Sequence, residues 1–97
     1  MLVKRTDRIG RPLGERGYDT KRALLLALDW ELEVTPWRAL TVQQVAKRSG
    51  KKVGVFYQYF YSIEDAVLEL ADATLEDDNM LSDRMKAILH LIALGRE

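Results

Sequence analysis

The sequence predicts an all-α fold: a three-helix bundle, then a connecting helix and one further amphipathic helix. Three observations predict it. Apolar residues recur at spacings of three and four in Leu24-Leu25-Leu28-Leu32, in Val42-Val45-Ala46, in Val53-Phe56-Phe60 and in Ala66-Val67-Leu70-Ala71. That is the period of a helix with one buried face. Thr41 and Ser62 stand where those stripes begin, and their hydroxyls suit the orphan amides of a helix start. Thr35-Pro36 and Ser49-Gly50 stand where stripes end, because the residue before proline avoids the helical region and glycine suits a left-handed cap.

A chain of 97 residues with 47% apolar content forms one globular domain with a single small core. It has no cysteine, so disulfides and thiolate metal sites are excluded. It has no apolar run long enough to span a membrane and no signal-peptide core at its start, so no membrane association and a cytoplasmic location are expected. The net charge of zero conceals a pattern. Residues 1–22 carry seven basic and three acidic side chains, and residues 41–62 carry four basic and none acidic. Residues 63–83 carry eight acids and no base. Local potential, rather than the total, steers a polyanion, so two basic segments are candidate nucleic-acid surfaces and the acidic block faces away.

Residues 1–18 are basic, glycine-punctuated and poor in apolar side chains, and are expected to form a flexible arm. Within it Arg8-Ile9-Gly10-Arg11-Pro12 resembles an AT-hook core, in which Arg8 and Arg11 enter a narrow minor groove. Ile9 stands where the usual arginine precedes glycine, and the alternative is a solvated tail. The helix-turn-helix domain is expected over 19–62. Asp19 or Thr20 caps its first helix, which runs to Val34 and buries Leu24, Leu25, Leu28 and Leu32. Leu26 and Trp30 fall partly off that stripe, with Trp30 either core edge or a contact with another chain. Trp37 is expected to plug the junction of the first two helices.

The stretch Thr41–Phe60 reads as two short helices hinged at Gly50. Thr41 and Gln44 have capping-box spacing, so each side chain satisfies a backbone amide of the other. The twenty residues hold Lys47, Arg48, Lys51 and Lys52 and no acid. Compact helices, a tight turn and a basic outer surface suit a helix-turn-helix that lays its second helix in a major groove. Lys51, Lys52, Val53 and Val55 surround the N-terminal turn of that helix and are the base-reading candidates. Lysine donates to guanine O6 and N7, and a valine methyl packs on a thymine methyl. Val53 is also in phase with Phe56 and Phe60, which gives it an alternative as core. Thr41, with its helix-start amides, Gln43 and Arg48 are phosphate candidates. Lys47 and Arg48 have an alternative as a solvated helix end.

Taken in order, Thr41-Val42, Val45-Ala46, Ser49-Gly50, Gly54, Phe56-Tyr57, Tyr59-Phe60, Ser62 and Glu64-Asp65 resemble the DNA-binding half of the TetR family of transcriptional regulators. With the leading helix the resemblance covers roughly sixty residues, and the Phe-Tyr-x-Tyr-Phe tail is its most specific part. It implies a homeodomain-like bundle, double-stranded DNA as partner, Tyr57 and Tyr59 as phosphate clamps, and Arg38 as a weak phosphate candidate. It also implies a homodimer on two half-sites. Three positions depart from the family pattern: Lys51 and Lys52 replace an apolar residue and a hydroxyl cap, and Ile63 replaces a phosphate-touching lysine.

Residues 63–97 are expected to form the connecting helix, capped by Ser62, and a last helix with Met85, Ile88, Leu89 and Ile92 on one face. That face either folds back, pairs with a second copy, or meets a further domain. The lone His90 reads as surface or core edge, and Glu76-Asp77-Asp78 with Asp83 reads as a solvated linker rather than a cation site. No metal cluster, phosphate loop or activated nucleophile is legible, so no enzyme activity, cofactor or small-molecule pocket is expected. The expected function is a sequence-specific DNA-binding regulator, a repressor of the TetR type. The alternative is a protein-interaction module that keeps the head but binds a partner regulator.

Overall fold

In the computed structural model the described residues are 2–78, together with His90 and Ile92. They form an all-α bundle with four helices: α1 (Glu15–Glu31), α2 (Val42–Ser49), α3 (Val53–Tyr59) and α4 (Ile63–Asp78). A short 3-10 turn, Trp37–Ala39, joins α1 to α2 and packs against α4. The core lies where α1 meets the other three helices. Leu24, Leu25, Leu28 and Leu32 enter it from α1 and its C-cap, Val42 and Val45 from α2, and Phe56 and Phe60 from α3 and its end. Ala66, Val67, Leu70 and Ala71 close it from α4. These are the stripes expected from the helical spacing.

The first helix differs from expectation at both ends. It starts at Glu15 behind Gly14, which supplies no side-chain cap, and Thr20 instead donates its hydroxyl to the Arg16 carbonyl inside the helix. Gly17 lets this first turn sit close to Leu13 and Tyr59: a Cβ there would stand 3.2 Å from Leu13 Cδ2. At the other end the helix stops at Glu31. The amides of Glu33 and Val34 reach back only three residues, to Trp30 and Glu31, so the chain tightens into turns before Pro36.

The segment before α1 differs more. Residues 2–13, expected as a flexible arm, are folded onto the bundle. The Leu2 amide donates to the Ala73 carbonyl of α4, and Val3 is buried in the common core. Thr6 and Pro12 face each other across an antiparallel bridge. Between them Asp7 Oδ1 accepts from the amides of Ile9 and Arg11, and Gly10 supplies the positive φ of 90° that the turn needs. The anchor of this segment is Lys21, 0% exposed in the middle of α1. Its ammonium has three donors. They meet the carbonyls of Lys4 (3.2 Å) and Thr6 (2.8 Å) and Glu69 Oε1 of α4 (3.3 Å). The second Glu69 oxygen lies 3.2 Å from the same nitrogen but receives no hydrogen bond. Burial lifts the Glu69 carboxyl above its ordinary range, and Lys21 opposes that rise without cancelling it.

In the segment expected to form the last helix, Ile92 is buried in the same core and His90 is exposed. The other expectations for residues 79–97, and the side chains of Glu76, Asp77 and Asp78, lie outside the described residues.

Candidate nucleic-acid interface

The capping box forms at the start of α2. The Gln44 amide donates to Thr41 Oγ1 at 3.2 Å, and the Thr41 amide donates to Gln44 Oε1 at 2.9 Å. The Thr41 hydroxyl lies 3.1 Å from Gln44 Oε1, so its own proton is engaged locally. What remains to meet an anion at this end is the helix dipole with the amides of the first turn. Gln43, one residue in, is exposed.

At the other end of α2, Gly50 adopts φ 74°, a left-handed conformation. The Lys51 amide reaches the Ala46 carbonyl at 2.9 Å and the Gly50 amide reaches Lys47 at 3.2 Å, a Schellman closure. The chain turns at once into α3, whose N-cap Lys52 offers no acceptor, so the first amides of α3 lack a side-chain cap. Lys51 and Lys52 are exposed beside this bare helix start. Cations there oppose the positive end of the helix dipole, an arrangement that costs stability and favours an incoming anion.

The remaining site candidates divide. Val53 and Val55 are half-buried and packed against the core, which leaves each an edge rather than a full side chain for contact. An added Cβ at Gly54 would meet nothing within 4 Å, so this face of α3 is open. Tyr57 is 40% exposed, its ring edge-on to Phe56 at 5.5 Å. Tyr59, expected as a second clamp, is only 7% exposed and belongs to the core. On a helix Tyr57 and Tyr59 are 200° apart, so they cannot share one face. Arg48 is already engaged: its Nε pairs with Glu31 Oε1 at 2.7 Å and its guanidinium lies over Trp30 at 4.9 Å. Ile63 is half-buried and packed against the core, which accounts for an apolar residue there.

The folded N-terminal turn adds a second basic edge. The Arg8 amide donates to the Gln58 carbonyl of α3 at 3.3 Å, and its guanidinium lies over Tyr61 at 5.0 Å. Arg8 and Arg11 are both exposed, so the turn carries its charge alongside the end of α3. Arg38 lies over the Trp37 ring at 5.3 Å, on the far side of α2 in sequence. The first acids of α4 lie close to this edge: Asp65 Oδ2 accepts from the amide of Tyr61, the residue over which Arg8 lies, and the Asp65 amide donates to Ser62 Oγ.

Sequence reasoning did not single out Lys21 or Asp7. Both leave a signal. Lys21 sits at the three- and seven-residue spacing from Leu24 and Leu28, a cation on an apolar face. Asp7 stands three residues before Gly10, the spacing of a side-chain-braced turn. Among the described residues no group of histidine, aspartate and glutamate side chains could hold a metal, and no helix is long and apolar enough to cross a membrane. The chain matches no family model, and no curated protein or solved structure matches it significantly.

Proposed function

We propose that the chain is a sequence-specific double-stranded DNA-binding regulator, acting as a repressor of the TetR type by occluding a promoter. One observation carries the reading: two short helices meet at a left-handed glycine, and the side chains they expose include cations, amides and a phenol but no acid. A helix start without a side-chain cap, flanked by Lys51 and Lys52, suits entry of α3 into a major groove. In this reading Lys51 and Lys52 reach base edges, with Val53 and Val55 adding apolar edges. Gln43, Tyr57 and the amides after Thr41 meet phosphates. Arg8 and Arg11 follow the adjacent minor groove from a braced turn.

The test is fluorescence anisotropy with duplexes selected from a random pool, repeated across salt concentrations. The reading expects a steep fall of affinity with salt and one preferred site at every ionic strength. Lys52→Ala then changes the preferred site, whereas Tyr57→Phe weakens all duplexes alike. Binding to no duplex, or equal binding to every duplex with no response to either substitution, overturns it and favours the interaction-module alternative.

A further inference from the structure

Where the N-terminal turn lies against the end of α3, the surface forms a recess of about 300 Å³. Asp7, Arg8, Ile9, Leu13, Gln58 and Tyr59 line it. Ile9 and Leu13 make part of the lining apolar, and Gln58 is an exposed residue whose side-chain amide both donates and accepts. Tyr59 is buried, but its hydroxyl makes no hydrogen bond among the described residues. That hydroxyl and Leu13 Cδ2 lie 3.5 and 3.2 Å from the place a Cβ on Gly17 would take, so the hydroxyl stands beside Leu13. Two arginine–tyrosine stacks adjoin the recess. Arg8 lies over Tyr61 at 5.0 Å, and Tyr61 is 57% exposed. Arg5 lies over Tyr18 at 4.0 Å, and its carbonyl accepts from the Leu13 amide at 2.8 Å, which sets this second stack next to the lining. Residues 4–16 expose five cations, Lys4, Arg5, Arg8, Arg11 and Arg16, against the acids Asp7 and Glu15. Asp65, the nearest acid of α4 to Tyr61, spends Oδ2 on the Tyr61 amide.

We propose that this edge binds single-stranded nucleic acid, one unpaired base entering the recess and its neighbours lying on the two arginine–tyrosine stacks. Three features select that occupant. First, the lining joins apolar side chains to an amide and a hydroxyl, which matches a nucleobase: an apolar face with a hydrogen-bonding edge. The volume is at the lower end of ligand sites and suits one planar group. Second, a guanidinium over a tyrosine ring gives an unpaired base a flat cationic partner, and stacking of this kind accepts any base. Third, the surrounding cations suit the phosphates of a strand, which a neutral ligand would leave unused. A base inside a duplex is stacked on both faces and cannot enter such a recess. The site therefore selects unpaired strands. The proposal does not rest on the duplex reading, because α3's lysines take no part in it.

Fluorescence anisotropy on the full chain tests it with labelled oligothymidylate, a strand of equal length that lacks bases, and a duplex. Oligothymidylate is expected to bind about tenfold more tightly than the abasic strand, although their phosphates are the same. Tyr61→Ala should remove most of that margin and leave the abasic strand unaffected, and Gln58→Ala should weaken oligothymidylate less. Thymidine monophosphate should compete only at much higher concentration, because it fills the recess without the stacks. Tight binding of oligothymidylate with none to any duplex supports the proposal and overturns the duplex reading alone. Equal affinity for the base-bearing and abasic strands reduces the edge to a patch of charge and overturns the proposal. So does Tyr61→Ala that keeps its fold by circular dichroism and binds oligothymidylate like the wild type. If Tyr61→Ala fails to fold, the abasic comparison on the wild type decides alone. A monophosphate that competes as well as the strand overturns the strand as occupant.

Discussion

The α2–α3 hairpin and the segment before α1 are both turns carrying exposed cations, yet they are held by different means. The hairpin is braced from within. Its cap pairs Thr41 with Gln44, its closure joins Lys51 to Ala46, and every such bond spans five residues or fewer. The N-terminal turn is also locally closed, by Asp7 and Gly10, but its position on the bundle depends on distant partners. Lys21 reaches back 15 and 17 residues to Thr6 and Lys4, and forward 48 residues to Glu69. Local bonds shape a turn, and long-range ones place it. A buried lysine whose three donors are all used is a point on which placement hangs.

The largest expected effect breaks that dependence. Lys21→Ala removes one member of a buried pair, leaves two carbonyls without their donor, and should cost about 3 kcal/mol of stability. Urea denaturation measures the loss, and amide exchange at Leu13 and Arg8 reports release of the segment. The α2–α3 hairpin should keep its exchange protection in the remaining folded population. If Arg8 and Leu13 stay protected, Asp7 and the α3 contacts place the turn without Lys21, and the contrast between the two regions fails.

The same contrast governs what could be read from the residues. The helical stripes, the box at Thr41 and the glycine at position 50 were all legible, because each is a pattern within a few positions. The order of segment 2–13 was not. Its composition is that of a tail, and its order comes from a lysine that composition counts as surface charge. Tyr59 and Arg48 illustrate the same limit at the candidate site. Each has the residue type expected at a phosphate, but the chain spends Tyr59 on the core and Arg48 on Glu31 and Trp30, partners outside its own element.

Two smaller substitutions sharpen the local half of the comparison. Gly50→Ala places a Cβ at φ 74°, where nothing crowds it but the backbone itself is strained, at a cost of about 1–2 kcal/mol. Because that strain falls on the hinge between α2 and α3, thermal denaturation should show it as a lowered midpoint with segment 2–13 still protected. Thr41→Ala removes one half of the capping box and should cost about 1 kcal/mol. A loss below a few tenths in either case would mean that tertiary packing alone holds the hairpin.

The smallest effect concerns the acid beneath the N-terminal segment. Burial raises the folded-state pKa of Glu69 above its ordinary 4.5, with Lys21 pulling the other way. A group whose folded pKa is raised contributes stability fully below its unfolded pKa and loses that contribution as pH rises through the folded one. Glu69 therefore favours the fold below about 4.5 and favours it less as pH rises past its shifted value, opposite to a carboxylate held ionised by its partner. Replacement by glutamine keeps the shape and removes the titration. The stability of the wild type relative to Glu69→Gln should thus decline from pH 4 towards neutrality in matched urea series. A relative stability that rises over that interval would mean that the Lys21 attraction outweighs burial. The ion pair would then add to the two carbonyl bonds as a source of stability, where burial otherwise makes it a cost that they offset.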